Sequence, residues 1–171
     1  MAVRPTADRV KEALFSMLQS RFDLAGASIL DLFAGTGALG LEGLSRGAGR
    51  AVFVERDHEA RRVLEVNVAA CGFTACSRVV GRPVQRAIDE LAAAGACFDG
   101  VLMDPPYGHG LADAALAQLA QSGLVAPGGW VAVEHRLDDV LAERYGTLRL
   151  TAARRYGKTA VALLADSRRV E

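Results

Sequence analysis

Residues 27–40 read ASILDLFAGTGALG, an apolar run that ends in a cluster of glycines. ASILDLFAG (27–35) is short, almost wholly apolar and without alternation, the pattern of a strand buried on both faces. It runs straight into Gly35-Thr36-Gly37-Ala38-Leu39-Gly40, a G-x-G-x-x-G that opens ALGLEGLSRG (38–47), a helix stopped by Gly47. In such a unit Gly35 allows a tight turn, Gly37 lets a ligand approach the backbone, and Gly40 brings helix and strand close.

Working outward, residues 6–20 put Val10, Leu14, Met17 and Leu18 on one helical face, with Thr6 as cap. AVFVE (51–55) is a second buried strand, followed by a helix from Asp57 to about Cys71. RVVG (78–81) is a third strand, and VQRAIDELAAAG a helix ending near Gly95. FDGVLMD (98–104) is a fourth, followed by a Pro-Pro turn and a helix from about Leu111 to Ser122. GGWVAVEH (128–135) is a fifth, and TLRLTAARRYGKTAVALLA a closing hairpin that turns at Tyr156-Gly157-Lys158. The alternation predicts an α/β fold: a mostly parallel seven-stranded sheet, helices on both faces, and an antiparallel terminal strand.

The 171 residues suffice for one domain, read here as spanning 1–171, and a chain of this size buries roughly 68–70% of its unfolded surface. Its 51% hydrophobic and 23% charged residues exclude a disordered or collagen-like chain. The three cysteines (Cys71, Cys76, Cys97) form no C-x-x-C, which argues against a disulfide framework and fits a reducing cytoplasm. His58, His109 and His135 are scattered, so no metal site is expected. No run of about 18 apolar residues could cross a membrane, and the first residues lack the apolar core of a signal peptide. A net charge of zero argues against a protein that coats nucleic acid but is silent about a local basic groove.

In a parallel sheet, ligands bind beyond the carboxyl ends of the strands. Glu55 ends the second strand 20 residues after Gly35, where a carboxylate can accept both hydroxyls of a ribose. The plainer reading is glycines that only shape a turn and a solvated Glu55. Asp31 bears on the choice of cofactor. A carboxylate there could face the ammonium of a methionyl group, whereas beside a pyrophosphate it would repel. It could equally accept backbone N–H bonds within the turn, so it favours S-adenosylmethionine over a dinucleotide without deciding between them.

Asp104-Pro105-Pro106-Tyr107 follows the fourth strand at the same edge. Two prolines fix two φ angles and remove two donors, leaving a rigid turn with free carbonyls. With the Asp104 carboxylate and the Tyr107 ring, it can hold a planar amine by both N–H bonds while the ring stacks on the base. The nitrogen lone pair is then aimed at an electrophile without a strong general base. The bland alternative is a Pro-Pro loop with a capping aspartate. Elsewhere, His109 follows the D-P-P-Y turn and could touch substrate, but it reads rather as a solvated loop histidine. Glu134, at the end of the fifth strand, could assist the site or pair with an arginine, and it stays outside the catalytic set. Arg149, Arg154, Arg155 and Lys158 cluster in the hairpin, where they could bind phosphate or form a solvated face. No cysteine is placed for a carbon-5 methyltransferase.

DLFAGTGALGLE (31–42) and DPPY (104–107) resemble the cofactor and amine motifs of class I S-adenosylmethionine-dependent amino-methyltransferases, which have a Rossmann-like fold. With RPTADRVKEALF (4–15), DLFAGTGALGLEGLSRGA (31–48), FVE (53–55) and RRYGKT (154–159), the chain is similar in order over nearly its whole length to the RsmD family, bacterial 16S ribosomal RNA guanine-N2 methyltransferases. The resemblance implies S-adenosylmethionine held by Asp31, Phe33, Ala34, Gly35, Thr36 and Gly37, with Glu55, Arg56 and Arg82 completing the site. It implies that Asp104, Pro105, Pro106 and Tyr107 grip a guanine of 16S rRNA, within an assembling small ribosomal subunit. Arg4, Arg9, Arg154 and Arg155 are the candidate RNA contacts, on a cytoplasmic monomer. The chain departs from the family in three places. The basic segment that usually precedes R-P-T is expected to be absent. Y-G-D-T is replaced by Tyr156-Gly157-Lys158-Thr159, and Arg82-Pro83 stand where an acid often follows the third strand. Adenine would then be read by backbone and apolar groups near residues 81–83. The alternatives are methylation of another planar amine (adenine in DNA or RNA, or a protein glutamine), a non-catalytic nucleic-acid-binding module, and a nicotinamide enzyme. Asp104 and Tyr107 argue against the module, and Asp31 with D-P-P-Y against the nicotinamide enzyme.

Overall fold

The structure, a computed structural model, describes residues 5–169. Five strands are parallel: β1 (Ser28–Leu32), β2 (Arg50–Val54), β3 (Ser77–Val80), β4 (Phe98–Met103) and β5 (Val125–Arg136). They are followed by β6 (Arg144–Tyr145), β7 (Leu148–Tyr156) and β8 (Thr159–Asp166). The helices are α1 (Pro5–Gln19), α2 (Ala38–Ser45), α3 (His58–Ala70), α4 (Val84–Ala93) and α5 (Leu111–Ser122). Strand order is β3-β2-β1-β4-β5-β8-β7-β6, with β8 inserted antiparallel beside β5. The chain reverses direction across the sheet between β1 and β4, which leaves a crevice at their carboxyl ends.

Side-chain alternation along the strands supplies two cores. On one face Ile29, Phe53, Leu102 and Trp130 pack against Phe15, Leu18, Leu44 and Leu64 of α1, α2 and α3. On the other, Leu30, Leu32, Met103, Val131 and Val133 meet Ile88 and Leu91 of α4 and Leu116 and Leu119 of α5. Each such side chain, fully buried, contributes about 1.5–3 kcal/mol.

The sheet has eight strands where the pattern predicts seven. The extra one, β6, is two residues long, too short to show a period. Tyr145 anchors it to the rest of the fold: its hydroxyl donates to Asp113 of α5 at 2.5 Å and accepts from the Ala142 N–H at 2.9 Å. All three closing strands pair antiparallel, rather than the last alone. Thr6, expected as a cap, falls inside α1, because Pro5 already occupies its first position. Strand β5 begins three residues before Gly128 and absorbs the break in register opposite Phe98 and Gly100.

Candidate active site

Two turns at the carboxyl edge make the site. At the end of β1 the backbone turns left-handed at Phe33 (φ 59°) and Gly35 (φ 56°), and Gly37 (φ 93°) precedes α2. For Phe33, a bulky residue, that conformation is costly. Glu55 closes the turn: one carboxylate oxygen accepts the Gly35 N–H and the other the Asp57 N–H, both at 2.8 Å. Asp57 in turn caps α3 by accepting the Ala60 N–H at 2.8 Å. Asn67 of α3 donates to the Thr36 carbonyl at 3.0 Å. The turn is therefore tied to the next strand–helix unit, β2–α3.

Asp31 lies behind this turn. Its Oδ2 accepts the Gly40 N–H at 2.8 Å, while its Oδ1, equally buried, has no partner among the described residues. Burial, reinforced by Asp104 and Glu55, pushes its carboxyl up to about 8 against the pull of the Gly40 bond. A side chain at Gly40 would run into the Phe53 ring and this carboxylate, so Gly40 does bring helix and strand together. A side chain at Gly37 would meet Leu64 of α3, so packing as well as the positive φ calls for glycine there.

At the end of β4, Asp104-Pro105-Pro106-Tyr107 is followed by three left-handed residues, Gly108, His109 and Gly110, and then α5. Asp104 reaches solvent on the cleft side but is hemmed in by protein elsewhere, which raises its carboxyl to about 6. Tyr107 is 48% exposed, and the Arg136 guanidinium lies 5.5 Å from its ring centre. Glu134 is raised to about 7 by burial and then by Asp104, with the Tyr107 hydroxyl drawing it back down.

The two turns share a cleft of about 740 Å³, a volume that suits a small-molecule cofactor. Phe33, Ala34, Gly35, Thr36, Glu55, Arg56 and Arg82 line it together with Asp104, Pro105, Pro106 and Tyr107, so most of the expected site is brought to one place. Asp31 and Gly37 are not in its wall. Arg82 borders the cleft but bonds Glu90 of α4 at 3.3 Å. Pro83, Val84 and Gln85 complete that wall where α4 begins. Val84 and Gln85 carry no motif in the sequence and were visible only as the start of a helix. His109 also lines the cleft.

The arginines separate. Arg154 and Arg155 are neighbours on β7 and so point to opposite faces of the sheet. Arg154 aligns with Val161 and, through it, with Glu134, whereas Arg155 aligns with Ala160 and His135. Arg149 lies five positions back along the strand, on the order of 17 Å away. The hairpin thus carries no single basic cluster. Arg9 is exposed on α1, and Arg4 lies outside the described residues.

The family described as conserved hypothetical protein 95 matches residues 1–165. The chain belongs to this family. It is 36% identical to "Putative rRNA methyltransferase YlbH" of Bacillus subtilis, over 95% of this chain and 87% of that protein. It is 37% identical to "Ribosomal RNA small subunit methyltransferase D" of Escherichia coli, over 81% of this chain and 67% of that protein. Among solved structures, "Putative methyltransferase yhhF" from Escherichia coli superposes with a TM-score of 0.83 at 33% identity, covering 98% of this chain and 90% of that one. The fold is that of a Rossmann-like methyltransferase.

Proposed function

We propose that this protein is an S-adenosylmethionine-dependent ribosomal RNA methyltransferase whose target is the exocyclic N2 amine of a guanine in the small-subunit RNA. The relatives named as rRNA methyltransferases support the class of reaction. The observation that carries the reading is the single cleft in which the Asp104–Tyr107 turn faces the glycine turn and Glu55.

The acids suit this cofactor. Asp31, Glu55 and Asp104 stand at three adjacent strand ends, close enough that Asp104 and Glu55 both raise Asp31. The carboxylates of Glu55 and Asp104 favour a ligand that bears an ammonium and a sulfonium and disfavour a pyrophosphate, and such a cation would draw Asp31 back toward its ionised form. The unpartnered Asp31 oxygen is a further acceptor behind the turn. When bound, S-adenosylmethionine supplies an electrophilic methyl group. Glu55 would then accept its ribose hydroxyls. The wall formed by Pro83, Val84 and Gln85 would hold the adenine by apolar and backbone contact, with Arg82 turned to Glu90.

On the other side of the cleft the Asp104 carboxylate and the Pro105 carbonyl accept the two N–H bonds of the target amine. Tyr107 stacks on the base, a contact worth about 1–3 kcal/mol. A guanine amine in a duplex is enclosed by stacked neighbours, so the base must be unpaired or flipped out. A chain of zero net charge has no overall positive field to offset that cost. The preferred substrate is therefore a base already exposed on an assembling small subunit, met by a cytoplasmic monomer. Among the described residues no helix is long and apolar enough to cross a membrane.

The test is transfer of labelled methyl groups to partly assembled small subunits, protein-free rRNA, duplex DNA and protein, followed by nucleoside and amino-acid analysis. N2-methylguanine formed chiefly on the particle is expected, at a rate that falls steeply with salt. Methyladenine or methylglutamine as the main product would overturn the choice of amine.

A further inference from the structure

Glu134 is an acid at this edge that no motif claims. It is half-buried on β5, one residue past Val133, whose register partner on β4 is Met103. Asp104 is one residue past Met103, so the two carboxylates stand side by side on adjacent parallel strands, about 4.8 Å apart at the backbone. Among the described residues neither makes an ion pair or accepts a backbone hydrogen bond. The Tyr107 hydroxyl lies near enough to Glu134 to draw its carboxyl down.

We propose that Glu134 is a positioning residue for methyl transfer: a second carboxylate that, coupled to Asp104, holds the proton released by the methylated amine. This rests on the function proposed above. In the step it concerns, the lone pair of the exocyclic nitrogen forms the new N–C bond while the C–S bond breaks and its electron pair stays on sulfur. The nitrogen becomes positively charged and loses one proton to Asp104, and Glu134 takes that proton or passes it to water. Two ionised carboxylates also stabilise the charge as it develops on nitrogen.

The surroundings favour this role over a structural one. On β8 the neighbour of Glu134 is Val161, which has no charge to offer. Beyond it on the same face lies Arg154 of β7. Arg136, two residues along β5, is drawn to the ring of Tyr107, and His135 faces the opposite side, bonded to the carbonyls of Arg136 and Asp139. Helix α1 packs on the same face as Glu134 and turns Val10 and Leu14 inward, while Lys11 pairs with Glu42 and Glu12 with Arg46. Asp8 and Arg9 of α1 are exposed. His109 lines the cleft beyond Tyr107. With Glu134 near 7, raised by burial and then by Asp104, and Asp104 near 6, the pair exchanges a proton in the neutral range.

Glu134→Gln keeps the size and shape of the side chain but cannot take a proton. In the parent, kcat should rise with pH, with its half-rise near 7. In Glu134→Gln, kcat should fall about 10- to 100-fold, at or below the lower end of what a positioned proton acceptor contributes. Its half-rise should move down toward 6, where Asp104 alone titrates, with KM for the RNA and Kd for the cofactor within about twofold of the parent. An unchanged kcat and pH profile would overturn the proposal. A second measurement needs no methyl transfer: carbon-13 NMR titration of the Glu134 carboxyl in the ligand-free protein. The expected midpoint is near 7, falling in Asp104→Asn as the like charge is removed. A midpoint in the ordinary carboxylate range, indifferent to Asp104→Asn, would overturn the coupling even if the methyl-transfer reading stands. Normal titration behaviour without transfer to any amine would overturn the functional reading instead.

Discussion

The two halves of the cleft are built on opposite principles. At the β1–β2 edge the acids are engaged by backbone: Glu55 accepts two N–H groups, Asp31 accepts one, and Asp57 caps the next helix. That half is set before anything binds. At the β4–β5 edge Asp104 and Glu134 hold no backbone donor among the described residues, and Tyr107 stands half-exposed under a mobile type of partner, an arginine side chain. Unmet acceptors beside a free aromatic face suit a group that arrives, donates two N–H bonds and leaves. The difference teaches where each kind of energy resides. On the function proposed above, the cofactor half is organised by hydrogen bonds already made, and the amine half by bonds withheld until the substrate enters, as differential binding requires.

Substitutions can break this contrast. The largest effect is expected from Asp104→Ala, which should lower methyl transfer about 100-fold or more while leaving cofactor affinity within about twofold. A charge-assisted hydrogen bond contributes about 1.5–3 kcal/mol, and loss of lone-pair alignment adds to that. Single-turnover assays together with calorimetry would separate the two quantities, and a matching loss of cofactor affinity would erase the division into halves. Glu55→Ala comes next. It should weaken cofactor binding about tenfold, with only a small further loss of rate at saturation. Equal affinity for parent and variant by calorimetry would remove Glu55 from the site. The smallest effect sharpens the comparison. Tyr107→Phe keeps the ring and should cost no more than about threefold in kcat, whereas Tyr107→Ala should cost about tenfold or more through lost stacking. If the two variants were equally impaired, the hydroxyl rather than the ring would be the working part of Tyr107.

Much of this was legible in the residues themselves. Strand, glycine turn and helix at 27–47 follow from periods and from glycine's access to positive φ, which are local properties. D-P-P-Y announces a rigid acceptor turn for the same reason: proline fixes φ and removes donors whatever surrounds it. Glu55 was found by its distance along the chain from Gly35, because strand and helix lengths in a βαβ unit leave little freedom. Other features depend on which strands become neighbours. Glu134 gains its meaning only because β5 lies beside β4 in a register that sets it next to Asp104, and no local pattern encodes a register between segments thirty residues apart. The protein contact behind Gly37 and the retreat of Asp31 from the cleft wall likewise arise from packing against α3 and Phe53. The chain's local chemistry thus determined the fold class and the two turns. Tertiary structure alone decided which acids face each other across the sheet edge, because desolvation and like-charge proximity are properties of neighbours in space.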